Sequence, residues 1–111
     1  MDHHFACGGH AESFRYGPVG RIKLLGEIDC DSAEELISTF EAMFRERPLD
    51  EVIVDLRGAS FIDSTILGVL VATWKRALRL GVRLVFVKGP PAVQRPFEKT
   101  HIDDHLTFVR L

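Results

Sequence analysis

Residues 51–56 read Glu-Val-Ile-Val-Asp-Leu, a short run rich in β-branched side chains that does not alternate between apolar and polar positions. A strand of this kind has no face to offer to water, so it belongs in the middle of a sheet with cover on both sides. A second such run, Val-Arg-Leu-Val-Phe-Val, occupies 82–87. Between the two, residues 64–80 carry helical spacing and stop at Gly81, a residue suited to the left-handed helix end. Strand, helix and strand in this order require a crossover, and the two strands then run parallel.

The flanking segments fit the same plan. Arg-Ile-Lys-Leu-Leu-Gly-Glu-Ile-Asp (21–29) alternates around Ile22 and Leu24 and is predicted to be a strand bent at Gly26. A weaker strand precedes it at Ser13 to Tyr16, with Gly17-Pro18 as the turn. Ser32 and Glu35 have the spacing of a capping box, and Leu36, Ile37, Phe40, Met43 and Phe44 follow as the apolar stripe of a helix that Pro48 ends. Residues 57–63 are expected to be a loop. Pro91 sits at or near the first position of a short third helix, distorted by Pro96, and His105 to Val109 close the chain as a last strand. The expected order is β-β-α-β-α-β-α-β: an α/β fold with a mixed, mostly parallel sheet of about five strands and helices packed on it. Residues 1–12 are expected to be a flexible tail, and 13–111 the domain.

With 111 residues and 46% hydrophobic content, the chain is large enough for one core and too short for two domains. Its 16 acidic and 14 basic residues are mixed along the sequence, which argues against a nucleic-acid surface. No apolar run reaches the length that spans a bilayer, and Cys7 and Cys30 lie in unrelated contexts, so a reducing, cytoplasmic setting is expected. His3, His4, Cys7 and His10 are chemically able to bind a metal, but their spacing matches no ligand pattern, and no metal or other cofactor is predicted.

The helix from Ser64 has two unlike sides. Ile66, Leu70, Thr73, Trp74 and Ala77 fall on one, the expected core face; Thr65, Gly68, Ala72, Lys75, Arg76 and Arg79 fall on the other, with Leu67 and Val71 flanking. Glycine within a helix costs about 1 kcal/mol relative to alanine, so Gly68 implies a close approach by another element or by a partner. The Asp29 to Ser32 turn and the Ser60 to Thr65 segment both follow strands, and both are expected at the carboxyl edge of the sheet, where functional loops gather.

Val-Ile-Val-Asp-Leu-Arg-Gly-Ala-Ser-Phe-Ile-Asp-Ser-Thr-Ile-Leu-Gly-Val-Leu (52–70) resembles the signature of the STAS domain, specifically of bacterial anti-sigma factor antagonists. The likeness extends back to Leu24–Leu36 and forward to Leu80–Thr100, and covers roughly residues 14 to 109. It implies a protein that binds an anti-sigma factor with serine/threonine kinase activity and frees a sigma factor. It further implies phosphorylation at Ser64 as the off-switch, with partner contacts from Asp29, Asp63, Ser64, Thr65, Gly68, Val71 and Ala72. Asp29 and Asp63 are expected to shape the loop, and Asp55 to bond neighbouring amides. Ile66 stands where the family commonly has glycine, and it is expected to bulk the first helical turn against a partner; Ile66→Gly is accordingly expected to tighten docking. The alternative within the same resemblance is an interaction module of a transporter or stress-sensing complex without a phospho-switch. The oligomeric state is not legible in the residues.

Catalysis has little support. Ser64 lies in no G-x-S-x-G elbow, and His101 and His105 lie far along the chain, so a hydrolytic triad is not expected. Neither phosphate-binding glycine fingerprint is present.

Overall fold

The computed structural model describes residues 9–109. In chain order these form β1 (His10–Tyr16), β2 (Val19–Ile28), α1 (Ala33–Arg45), β3 (Glu51–Asp55), β4 (Ala59–Ile62), α2 (Ser64–Leu80), β5 (Arg83–Val87), α3 (Pro91–Lys99) and β6 (Thr107–Val109). The sheet order is β1-β2-β3-β5-β6, with β4 paired to β2 off this path. Only β1 and β2 are antiparallel; the other pairings are parallel. The α/β class and the mostly parallel sheet agree with the reading of the residues, and β3 is central, between β2 and β5.

Alternation decides which side of the sheet the helices cover. Ile22, Leu24, Val52, Val54, Leu84 and Phe86 are buried in one cluster with Leu36, Phe40, Ile66, Leu70, Val93 and Phe97 from the helices. Their neighbours Arg21, Lys23, Glu51 and Ile53, on the opposite face, are only half-buried. At the β6 end the core turns aromatic, where Phe97 meets Phe108 edge-on with ring centroids 5.3 Å apart and Phe86 lies 6.2 Å from Phe97. Each large side chain buried this fully contributes roughly 1.5–3 kcal/mol. The core therefore holds all three helices to one face, so β3 is central but not covered on both sides as its apolar run implied.

Several local expectations change. The first strand starts at His10, so residues 10–12, expected in the tail, belong to the sheet. Ser32 does not close a capping box: a 3-10 turn over Cys30–Ser32 leads directly into α1, leaving Ser32 with helical angles and no capping bond. The cap is Asp29, whose Oδ1 accepts the Asp31 amide at 3.1 Å. Ile37, assigned to the core stripe of α1, is exposed, whereas Leu36, Phe40, Met43 and Phe44 are buried. At the other end of α1, Arg15 reaches across from β1 and donates to the carbonyls of Glu46 at 2.7 Å and Pro48 at 2.6 Å. A cation there also meets the negative end of the helix dipole.

The largest omission is β4, which lies within the expected loop. Its register pairs Gly26 with Ala59 and Ile28 with Ile62, and a bulge between Gly26 and Glu27 absorbs the irregularity. Gly26 takes φ +79°, a conformation that favours glycine, and its amide donates to the Gly58 carbonyl at 2.9 Å. The bend expected at Gly26 is thus where β2 changes partner from β3 to β4. The helix boundaries at Ser64 and Gly81 agree with expectation; Gly81 is left-handed at φ 72° and its amide donates to the Leu78 carbonyl. Pro96 lies inside α3, which spans nine residues, and the Gln94 side chain accepts the Gly89 amide at its entrance.

Candidate functional site

The pairing of Ile28 with Ile62 sets the site. The residues that follow the two strands are Asp29 and Asp63, so both carboxylates leave the sheet at its carboxyl edge. Both are caps. Asp63 is extended (φ −101°, ψ −179°), and its Oδ1 accepts the Ile66 amide at 3.0 Å, while its carbonyl accepts the Leu67 amide. Ser64 is therefore the first helical residue and not the cap. It is exposed, and its hydroxyl makes no hydrogen bond to any of the described residues. Neither His101 nor His105 bonds to it.

Asp55 differs from these two carboxylates. It is buried at the end of β3 and accepts the Arg57 amide and Nε at 3.0 Å each, Arg57 Nη2 at 2.8 Å and Arg21 Nη2 at 2.9 Å. The bonds from Arg57 hold its carboxyl well below the ordinary carboxylate range; burial opposes them, and Arg21 adds to them. The expected bond to a loop amide is present, but the two guanidinium groups were not foreseen. Their effect is to tie β2, β3 and the segment entering β4 together just ahead of the Asp63-Ser64 turn.

The outer surface of α2 is a ridge between two depressions. One is a groove against α1, lined by Thr65, Gly68, Ala72 and Arg76 on one wall and Ile37 and Phe44 on the other. Arg76 pairs with Glu41 and lies 5.7 Å above the Phe44 ring, joining the two helices at this groove. Gly68 is exposed, and a Cβ built on it meets no atom within 4 Å. No element among the described residues uses the close approach that Gly68 permits. The second depression is a cleft against α3, lined by Ser64, Leu67, Ala92, Arg95, Pro96 and Lys99. Val71 does not line the groove with Thr65, Gly68 and Ala72; it lies two turns beyond Ser64 and is half-buried.

Ile66 is the clearest correction. It is 0% exposed and belongs to the core, so it does not bulk the helix surface and offers nothing to a partner. The capping bond brings the third residue of the helix over the sheet, where a β-branched side chain fills the core under the helix end. Of the metal-capable residues, His3, His4 and Cys7 lie outside the described residues; His10 is in β1, 3.4 Å from Glu12. No helix among the described residues is long and apolar enough to cross a membrane.

Comparison with known proteins agrees with the fold. An anti-sigma factor antagonist from Mycobacterium paratuberculosis superposes with a TM-score of 0.83 at 24% identity, over 93% of this chain and 86% of that one. The antagonist SpoIIAA in its unphosphorylated form gives 0.77 at 18% identity, over 90% and 88%. SpoIIAA from Bacillus in its phosphorylated form gives 0.69 at 16% identity, over 91% and 90%. At these identities the likeness establishes the fold. The STAS domain family model matches residues 14–110, nearly the whole length, and the chain therefore belongs to the STAS domain family.

Proposed function

We propose that this protein is an anti-sigma factor antagonist: it docks on an anti-sigma factor through the Ser64 end of α2, freeing a sigma factor, and phosphorylation of Ser64 ends the interaction. The observation that carries this reading is the state of Ser64. Its hydroxyl is exposed and unbonded at the first position of α2, because Asp63 already caps the helix. The side chain is thus presented to an outside protein and is not consumed by the fold. Beside it, Thr65, Gly68 and Ala72 form a small-residue surface that a partner can approach closely, and Asp29 and Asp63 follow paired strands at the same edge of the sheet. The protein acts here as a binding module in the cytoplasm, and the catalyst is the partner.

In the phosphorylation step the Ser64 oxygen attacks the γ-phosphorus of ATP held by the partner, and the bond to the bridging oxygen breaks. ADP leaves with that electron pair, and the hydroxyl proton passes to a base of the partner. The product carries a charge of about −1.5 to −2 at the N-terminus of α2, where free amides and the helix dipole favour an anion. The fold therefore tolerates the modification, and the change is felt at the surface: a new charge beside Asp63 and next to the close-contact arc repels and obstructs a partner. A structural relative, SpoIIAA, exists in both unphosphorylated and phosphorylated forms, which fits a switch of this kind.

One of the grounds for the transporter-module alternative, Ile66 as a departure on the helix surface, does not favour it over this reading, because Ile66 is buried. The test is to isolate the partner by co-purification, incubate it with this protein and ATP, and locate the phosphate by mass spectrometry. Phosphate on Ser64, with Ser64→Ala retaining partner binding and Ser64→Asp weakening it, is the expected result. Phosphate on another residue, or equal binding by the two variants, overturns the proposal.

A further inference from the structure

We infer that Arg95 and Lys99 of α3 act as the protein's own counter-cations for the phosphate on Ser64. The inference rests on Ser64 as the phosphorylation site and adds a regulatory role for α3. Its basis is the second depression on α2, a cleft of about 300 Å³ that Ser64 shares with Leu67, Ala92, Pro96, Arg95 and Lys99. Arg95 and Lys99 are four residues apart and so lie on one face of α3, the face turned toward Ser64. Both are exposed, and neither forms an ion pair with any described residue. Arg21 and Arg57 are committed to Asp55, Arg76 to Glu41, Arg83 to Glu51 and Arg15 to Glu46 and nearby carbonyls. Other cations such as Lys75 and Arg79 are also without an ion pair among the described residues, and what distinguishes Arg95 and Lys99 is that they line the cleft that holds Ser64. The cleft beside the acceptor hydroxyl is thus lined by two cations without a carboxylate of their own.

A phosphate on Ser64 supplies what they lack. It brings three acceptor oxygens and close to two negative charges to the cleft, where a planar guanidinium and an ammonium on long, flexible stems can meet it. Asp63, next in the chain, opposes the new charge, and the two cations offset that repulsion. Phosphorylation then draws the α3 side chains onto the N-terminus of α2, so that the cleft is filled and its cations are no longer available to a partner. One consequence is that Ser64→Asp weakens partner binding but reproduces only part of the effect of the phosphate, because a single carboxylate on a short side chain carries about half the charge and fewer acceptors.

The test uses the full chain with phosphoserine installed at position 64 during translation, so that it does not depend on any kinase. The second ionisation of the phosphate is followed by 31P NMR at low ionic strength in the otherwise unchanged protein, in Arg95→Gln/Lys99→Gln and in the charge-retaining Arg95→Lys/Lys99→Arg. Nearby cations favour the dianion, so its pKa is expected to rise on the order of half a unit, about a threefold change in proton affinity, in the glutamine variant. In the charge-retaining variant it is expected to stay within a small fraction of that change. Salt should shrink the difference. Circular dichroism confirms that the variants remain folded, as expected for two exposed positions. Equal values in the unchanged and glutamine proteins overturn the inference, as does a rise in the charge-retaining variant as large as in the glutamine one. Failure of a kinase to modify Ser64 defeats the proposed function alone and leaves this result standing.

Discussion

The inner and outer sides of α2 begin at adjacent residues and answer to different demands. Inside, Ile66 and Leu70 are fully buried against the sheet, and Asp63 holds the helix start by its bond to the Ile66 amide. Outside, Ser64, Thr65, Gly68 and Ala72 are exposed, and a side chain added at Gly68 meets nothing. The inner side is specified by packing, where one missing methylene is felt. The outer side is poor for stability, since it spends a glycine in mid-helix and leaves a hydroxyl unbonded. The difference teaches that the residues that fix the position of Ser64 by packing are not the ones exposed beside it.

The largest effect is expected from Ile66→Gly, which removes a fully buried side chain and adds a helix-breaking tendency. A loss of about 4 kcal/mol is expected in chemical denaturation. Tighter partner binding without a loss of stability would place Ile66 on the outer side and break the comparison. Asp55→Asn comes next, at about 2 kcal/mol, because it leaves Arg21 and Arg57 facing a neutral group in a part-buried setting. The same residue predicts a pH dependence. Its folded carboxyl is held below the ordinary value of about 4, so its contribution is complete above that pH and is lost as acid is added below it. In Asp55→Asn the acid-side decline measured by thermal melting should be correspondingly shallower.

Asp63→Ala removes only the cap and is expected to cost about 1 kcal/mol, with faster amide exchange confined to the first turn of α2. A loss as large as that of Ile66→Gly would mean that the cap organises the core as well. The smallest change sharpens the comparison most. Gly68→Ala is expected to raise stability by about 0.5–1 kcal/mol, since the added methyl meets open space, while weakening partner capture. Stability and binding moving in opposite directions at this residue would separate the two sides directly; unchanged binding would place the contact elsewhere.

Much of this division was legible in the residues, and the gaps have physical causes. The limits of α2 followed from Asp63-Ser64 and Gly81, because caps and left-handed stops are local chemistry. The central place of β3 followed from its unbroken apolar run. By contrast, β4 has four residues with only its first and last buried, a pattern too short to show a period. Its existence depends on pairing with β2, more than thirty residues earlier, at a bulge. The Asp55 cluster was half visible: a carboxylate inside an apolar run has to find a partner, but Arg21 comes from the neighbouring strand and no local spacing names it. Ser32 had the spacing of a capping box and failed as one because the preceding 3-10 turn had already wound the chain. Ile66 carried two readings: helical spacing with Leu70, Thr73 and Ala77 puts it on the core face, where it lies, while the family likeness implied bulk toward a partner, which its burial removes.

The pairing of β4 with β2 also bears on how fast the partner proposed above would engage. Ser64 hangs from a hydrogen-bonded strand and not from a free loop, so the conformational search for its presenting geometry is completed when the domain folds. An incoming protein meets a surface that has already lost its backbone freedom, and little of the encounter's free energy goes into ordering it. Association should then be governed by diffusion and charge, with single-phase kinetics that respond to ionic strength.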